Sequence, residues 1–439
     1  MIVDAVATSA EVVGGYRSPE TAIAAAIERA RAVNPTINAI VEPAYERALE
    51  KAAGAGPAGS LAGVPILLKD LFCPAEGDTA YQGNRTLKDQ DYRYPVSGAV
   101  VRRLENAGAV SIGRSHSPEL GCGQCPAAAE TALYGPARNP WNPEYSPLGS
   151  SGGAAAAVAA GVVPLAHASD GGGSIRIPAS ANGLIGLKCS RGRISAAPAG
   201  ELWAGGVTDG VVSRSVRDTA LALDVLAGPE PGDPHWVPPP ARSYRALAGE
   251  PPPRLRIGLC TALPYTETAP GCAAAAREAA DLLSDLGHRV ERAHPEPMNR
   301  LDYMYDYIRV IRVSLVTELR MFEAGLGRPW RAEDVEEGTW INYQRGLKVS
   351  GADVFESRER LHRFTREMLA WWHQGFDLLL TSTLATEVPR VGHLVEGDER
   401  LLTRRLAAVT PFLPQFNVTG QPAISVPMAA GDNGVPIGV

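Results

Sequence analysis

An α/β fold is what this sequence predicts, and three observations carry the expectation. At residues 98–107 apolar positions recur with helical spacing and lead straight into the apolar run 109–113, a helix-to-strand step. Apolar runs of strand length at 63–69 and 164–169, and a strand at 255–260 followed by a helix at 271–286, repeat that alternation. A chain of 439 residues with 45% hydrophobic content can also bury a large core.

Taken in order, Ser18, Pro19 and Glu20 open the first clear helix. Serine is a good N-cap, and proline at the first helical position gives up an N–H that would have no partner anyway. The apolar spacing continues to about Val33, and a second helix is expected from Pro43 to about Ala53, before the strand at 63–69. The Ala-rich segment 154–160 predicts a helix whose small side chains let neighbouring backbone approach closely. The strand at 164–169 then delivers a glycine tract. So much proline falls between 229 and 253 that helix interiors and central strands are excluded there, leaving a linker or surface excursion. From 301 to 374 the period is helical, and four of the seven tryptophans fall here: Trp330, Trp340, Trp371 and Trp372. With Tyr303, Tyr307 and Tyr343 they are candidates for a substrate wall, against the simpler expectation that each packs a helix onto the core. The last residues, 434–439, read as a strand motif.

The chemistry lies in three places. Lys69 ends the apolar run Ile66, Leu67, Leu68, where burial disfavours the ammonium and lowers its pKa, although Asp70 is placed to oppose that shift. A Gly149-Ser150-Ser151-Gly152-Gly153 turn follows, and then Asp170-Gly171-Gly172-Gly173-Ser174. A serine hydroxyl is a poor nucleophile at neutral pH, and a neutral lysine can take its proton. A backbone free of side chains before Ser174 lets N–H groups converge on one oxygen, as an oxyanion hole requires. The segment from Ser174 to Pro178 reads as the start of a short helix, whose positive end adds to the same field.

These blocks resemble the amidase signature family of serine amidases, which use a Ser-cisSer-Lys triad. The match runs through Gly63-Val-Pro-Ile-Leu-Leu-Lys69-Asp70, Asn139-Pro-Trp-Asn142, Gly149 to Gly153, Ser169 to Pro178, and Gly183-Leu-Ile-Gly-Leu-Lys188. The resemblance implies a single amidase domain over 1–439, with a mixed twisted sheet flanked by helices on both faces and the signature core at 61–195. The 300–375 region is then the expected substrate wall. It also implies that Lys69 is the general base, Ser150 the bridging serine beside a cis peptide, and Ser174 the acyl nucleophile. Gly171, Gly172 and Gly173 would offer the oxyanion N–H groups, with Ser151, Asp170 and Arg176 in support. Leu148 departs from the family pattern, which often has another glycine there. Gly171, in place of the more usual Thr or Ile, resembles the branch containing hydrolases of nylon-type cyclic amides and some aryl acylamidases. Members usually continue for another helix, so the C-terminus is expected to be short.

Composition narrows the classes. A net charge of −6 without any run of Lys or Arg offers no footprint for nucleic acid. The start lacks a basic n-region and an apolar h-region, and the Ala-rich run 154–166 is too short to span a bilayer, so a cytoplasmic protein is expected. Six cysteines, Cys73, Cys122, Cys125, Cys189, Cys260 and Cys272, do not form a disulfide framework in a chain this long. Cys122 and Cys125 have redox-motif spacing, but no second Cys/His pair follows, and two free thiols in a loop is the preferred reading. No cofactor and no metal are expected. The expected partner is a small-molecule amide, with neither nucleic acid nor membrane, and a homodimer is allowed.

Rival readings are weighed against this one. Gly149 to Gly153 also fits G-x-S-x-G, with Ser151 on a nucleophile elbow, but Pro143 and Pro147 forbid the central strand that motif needs just before it. His167 and Asp170 are three apart on a strand and face opposite sides, so they do not form one relay with a serine. Asp170 and Arg176 are expected to pair and brace the glycine tract. A glutaminase subunit of an amidotransferase, or an acyl transferase to an amine, remains as the alternative activity.

Overall fold

The computed structural model describes residues 4–54, 56 and 58–439; Met1, Ile2 and Val3, where the opening was read, lie outside them. The structure is mixed α/β. The expected 63–69 strand runs Pro65–Lys69 and pairs in parallel with Val110–Ser115, which pairs on its other side with Ile40–Pro43 antiparallel. A second sheet is antiparallel throughout, with Leu165–Asp170 against Thr208–Ser213, then Ile185–Lys188, then Ala423–Ser425. A third, parallel sheet holds Arg256–Leu259 between Arg289–Arg292 and Leu378–Leu380. The strands thus register as several short sheets. The Pro65–Lys69 and Leu165–Asp170 strands meet where the Lys69 N–H donates to His167 Nδ1 at 3.4 Å.

The helices follow their sequence signals, with two corrections. Pro19–Ile37 is capped by Ser18, whose hydroxyl accepts the Thr21 N–H. The helix expected from Pro43 instead begins at Tyr45, because Pro43 closes a strand paired with Gly113. An unforeseen helix, Ala5–Val13, precedes both. Gly152–Ala159 is the small-residue helix, buried along nearly its whole length among Ile23, Ile112, Ala168 and Val212. Gly153 permits that closeness: a Cβ there would sit 2.3 Å from the His116 nitrogen.

The 301–374 region resolves into Asp302–Leu326, Glu337–Gly346 and Gly351–Ala370. Most of its aromatics pack helices. Trp330 is buried with its Nε1–H on the Leu319 carbonyl, Trp371 stacks on Phe376 at 4.1 Å, and Tyr303 stacks on Phe364 at 4.4 Å. Between 229 and 253 the only regular element is the single turn Tyr244–Leu247. No helix among the described residues is long and apolar enough to cross a membrane.

Candidate active site

Lys69 enters the site as the last residue of its strand and is fully buried. Its Nζ lies 2.7 Å from Ser150 Oγ and 2.9 Å from Ser169 Oγ. Burial pushes its pKa down from 10.5 to about 7, against the pull of Asp209, Asp170 and Cys73. Asp70 does not oppose that shift as its adjacency suggests. Alternation along the strand turns its carboxylate away, to the Gly83 N–H at 3.0 Å, and burial raises the Asp70 pKa to about 7.

The serine turn carries a cis peptide between Gly149 and Ser150. Ser151 fastens the turn to the neighbouring strand, donating from its hydroxyl to the Ser169 carbonyl and accepting the Ser169 N–H, both at 3.3 Å. The Ser151 N–H donates to the Ser174 carbonyl at 3.3 Å, which ties the two serine segments together. Both bonds of this hydroxyl go to the Ser169 backbone. Leu148, the departure from the family pattern, is fully buried at φ +58°, a left-handed conformation that glycine adopts without strain.

Behind the glycine tract, Asp170 is fully buried and gripped by Arg176, Nε to Oδ2 and Nη2 to Oδ1, each at 2.9 Å. Burial works to raise the Asp170 pKa, yet the Arg176 guanidinium beside it holds the carboxyl well below the usual carboxylate range. The pairing expected of these two residues is therefore present. His167 instead meets Asp209, Nε2 to Oδ1 at 3.1 Å; burial opposes its charged form, while Cys73 and Asp209 favour it.

The tract itself differs in one respect from the sequence reading. The Gly173 N–H donates to Asp170 Oδ1 at 2.7 Å, so it is engaged inside the protein and is not directed at a substrate. Among the described residues, no hydrogen bond engages the N–H of Gly171, Gly172 or Ser174. A Cβ on Gly172 would meet nothing within 4 Å, so open space lies beside it, and Ser174 is half-buried. A Cβ on Gly171 would lie 2.5 Å from the Trp203 ring: that indole fills the place a larger residue would take.

Three further residues belong to this assembly. Ser169, the second partner of Lys69, opens the Ser169 to Pro178 block, where no local feature marks its role. Asn417 donates from Nδ2 to the Asp170 carbonyl at 3.0 Å and to its Oδ1 at 2.8 Å, while its own Oδ1 accepts from Arg176 at 2.8 Å. Tyr307, named only as a wall aromatic, is buried with its hydroxyl on the Gly171 carbonyl at 2.5 Å. Cys122 and Cys125 are buried, which pushes both thiols up to about 12.

Comparison with known proteins identifies the family. A family profile described as Amidase matches residues 21–439, and the chain belongs to that family. It is an amide-hydrolysing enzyme, and its relatives bear that out. It is 38% identical to the 6-aminohexanoate-cyclic-dimer hydrolase of Pseudomonas sp. (strain NK87) over 99% of this chain and 90% of that one. The solved structure of a 6-aminohexanoate cyclic dimer hydrolase complexed with substrate superposes with a TM-score of 0.94 at 37% identity, covering 99% of this chain and 92% of that one. A bacterial aryl acylamidase of the amidase signature family follows at 0.88 and 27%, covering 100% and 91%.

Proposed function

We propose that the protein cleaves a small linear, cyclic or aryl amide through an acyl-Ser174 intermediate, with Lys69 as the base and Ser150 as the proton bridge. The observation that carries this reading is a fully buried Lys69 hydrogen-bonded to Ser150 at 2.7 Å, where burial pushes its pKa down to about 7. A neutral amine can accept a proton that an ammonium cannot.

In the first half-reaction Ser174 Oγ attacks the amide carbon as its proton passes to Ser150, whose own proton passes to Lys69 Nζ. The carbonyl π bond opens onto oxygen, and the N–H groups of Gly171, Gly172 and Ser174 receive that charge. The C–N bond then breaks as the proton returns from Lys69 through Ser150 to the departing nitrogen. Water repeats the sequence on the acyl-enzyme, yielding the carboxylic acid and restoring Ser174. Asp170 and Arg176 hold the tract, and Ser151 holds the serine turn. The relatives' activities, on a cyclic amide dimer and on aryl acylamides, support this substrate class, and no cofactor is required.

Intact-protein and peptide mass spectrometry after treatment with a fluorophosphonate tests the assignment. The adduct is expected on Ser174; labelling of Ser151 would return the nucleophile-elbow reading. Purified enzyme should then be assayed against linear, cyclic and aryl amides with glutamine in the panel. Turnover of glutamine alone would replace this reading with a glutaminase.

A further inference from the structure

The free N–H groups of the tract are aimed from behind. In a trans peptide the carbonyl of one residue and the N–H of the next point in opposite directions, so a donor that fixes the carbonyl also fixes the N–H. The peptides of this tract are trans. The Gly172 N–H shares its peptide with the Gly171 carbonyl, which accepts the Tyr307 hydroxyl at 2.5 Å. The Gly171 N–H shares its peptide with the Asp170 carbonyl, which accepts Asn417 Nδ2 at 3.0 Å. The Ser174 N–H shares its peptide with the Gly173 carbonyl, which accepts the Ile177 N–H at 2.7 Å. Gly173, whose N–H turns inward to Asp170, follows the one carbonyl, that of Gly172, for which no such partner is present among the described residues.

We propose that Tyr307 and Asn417 are positioning residues for the oxyanion, each holding and polarising one peptide so that its far N–H faces the developing charge. The inference rests on the acyl-Ser174 reading. Polarisation adds to aim: a carbonyl that accepts a strong hydrogen bond draws electrons from its own amide, and the N–H of that amide becomes a better donor. Both side chains are built in. A Cβ on Gly206 would come within 2.1 Å of the Tyr307 hydroxyl, and the Trp203 ring meets the tyrosine edge-on at 6.5 Å. Asn417 Nδ2 also reaches the Gly206 carbonyl at 3.0 Å, so the two supports share one anchor. Burial, reinforced by Asp170, raises the Tyr307 pKa far above its ordinary value, so the phenol stays a donor throughout the working pH range.

The test is Tyr307→Phe, which keeps the ring and removes only the hydroxyl. Deleting an oxyanion donor outright costs about 10²–10³-fold; here the N–H remains and only its support is lost, so a loss of about tenfold is expected. Three readouts should move together: the rate at which a fluorophosphonate labels Ser174, kcat on a p-nitroanilide and on the p-nitrophenyl ester of the same acyl group, and the affinity for the trifluoromethyl ketone bearing that acyl chain. KM should stay within about twofold, since the ground-state carbonyl gains little from the tract. A loss confined to KM, or an unchanged affinity for the ketone, would overturn the proposal and leave Tyr307 as packing. If Tyr307→Phe lowers Tm sharply, 3-fluorotyrosine incorporated at 307 keeps the hydroxyl. It must then label at no less than the wild-type rate, and a Phe-like rate refutes the inference. The site of the adduct separates the two levels: labelling away from Ser174 sinks the parent reading, whereas an unchanged labelling rate on Ser174 sinks only this one.

Discussion

Replacing Lys69 by methionine should abolish turnover and yet change stability in a way that depends on pH. Folding takes this lysine from water, where its pKa is 10.5, to a buried position where it is about 7. Between those values the unfolded chain binds more protons than the folded one, so this group's contribution to stability rises with pH. The penalty is fully present below about pH 7 and fades as pH approaches 10.5. At ~1.36 kcal/mol per pKa unit it amounts to about 4 kcal/mol at pH 7 and about 2 kcal/mol at pH 9. Methionine has similar length and no charge, so it escapes the whole term. It also strips a partner from Ser150 and from Ser169, at about 1 kcal/mol each, but that loss does not vary with pH. The diagnostic quantity is therefore the change in the stability difference: relative to wild type, Lys69→Met should gain about 2 kcal/mol more at pH 7 than at pH 9. Urea unfolding of both proteins at the two pH values measures it, and titrating groups that do not interact with Lys69 cancel in the subtraction. Parallel stability profiles would mean that Lys69 is charged in the folded protein, and a charged lysine cannot be the base.

Three kinetic outcomes accompany this one. On the acid side kcat/KM should fall about tenfold per pH unit below an apparent pKa near 7, as Lys69 takes up a proton, and Lys69→Arg should not rescue turnover, because arginine cannot give up its proton; a profile flat down to pH 5.5, or an active arginine variant, counts against the base. Ser150→Ala should reduce turnover of an amide more than that of an activated ester sharing its acyl group, because amines leave only when protonated and aryloxides need little help; equal losses measured on the pair would reduce Ser150 to a positioning part.

How much of this was legible follows from the range of each interaction. Lys69, the serine turn and the glycine tract announce themselves because their chemistry demands particular residue types in short stretches: an apolar run to bury an amine, glycines where backbone must approach, a serine after them. What escaped is held from far along the chain. Tyr307 reaches a carbonyl 136 residues away and Asn417 one 247 residues away, and neither position carries a local mark that separates it from a packing residue. The helix Ala5–Val13 was missed although Asp4 caps it locally, accepting the Ala7 N–H; its first two N–H groups are held from afar, by the Asp218 carboxylate more than 200 residues on. The Leu148 conformation could be suspected only from the glycine expected there. Its side chain lies in a buried cluster with Ile177, Ala181 and Leu413, so burial offsets the roughly 1–2 kcal/mol of left-handed strain.

The acid–base logic of the site turns on which charges are allowed near Lys69. Its direct partners are two neutral hydroxyls, Ser150 and Ser169; a carboxylate in either place would stabilise the ammonium and carry its pKa back toward 10. Two carboxylates nevertheless lie close enough to pull in that direction, Asp209 and Asp170. Each has a partner of its own: Asp209 accepts from His167 Nε2, and Asp170 is closed into the bidentate grip of Arg176. Strand alternation makes the second arrangement workable, since Ser169 and Asp170 are neighbours in sequence and point to opposite faces. One face therefore offers Lys69 a hydroxyl, while the other sets a permanent anion against arginine. That anion is also what takes the Gly173 N–H and, through Asn417, shares in fixing the Gly171 peptide. The charge that would spoil the proposed base if left unpaired is, once paired, the anchor of the tract that is proposed to receive the oxyanion.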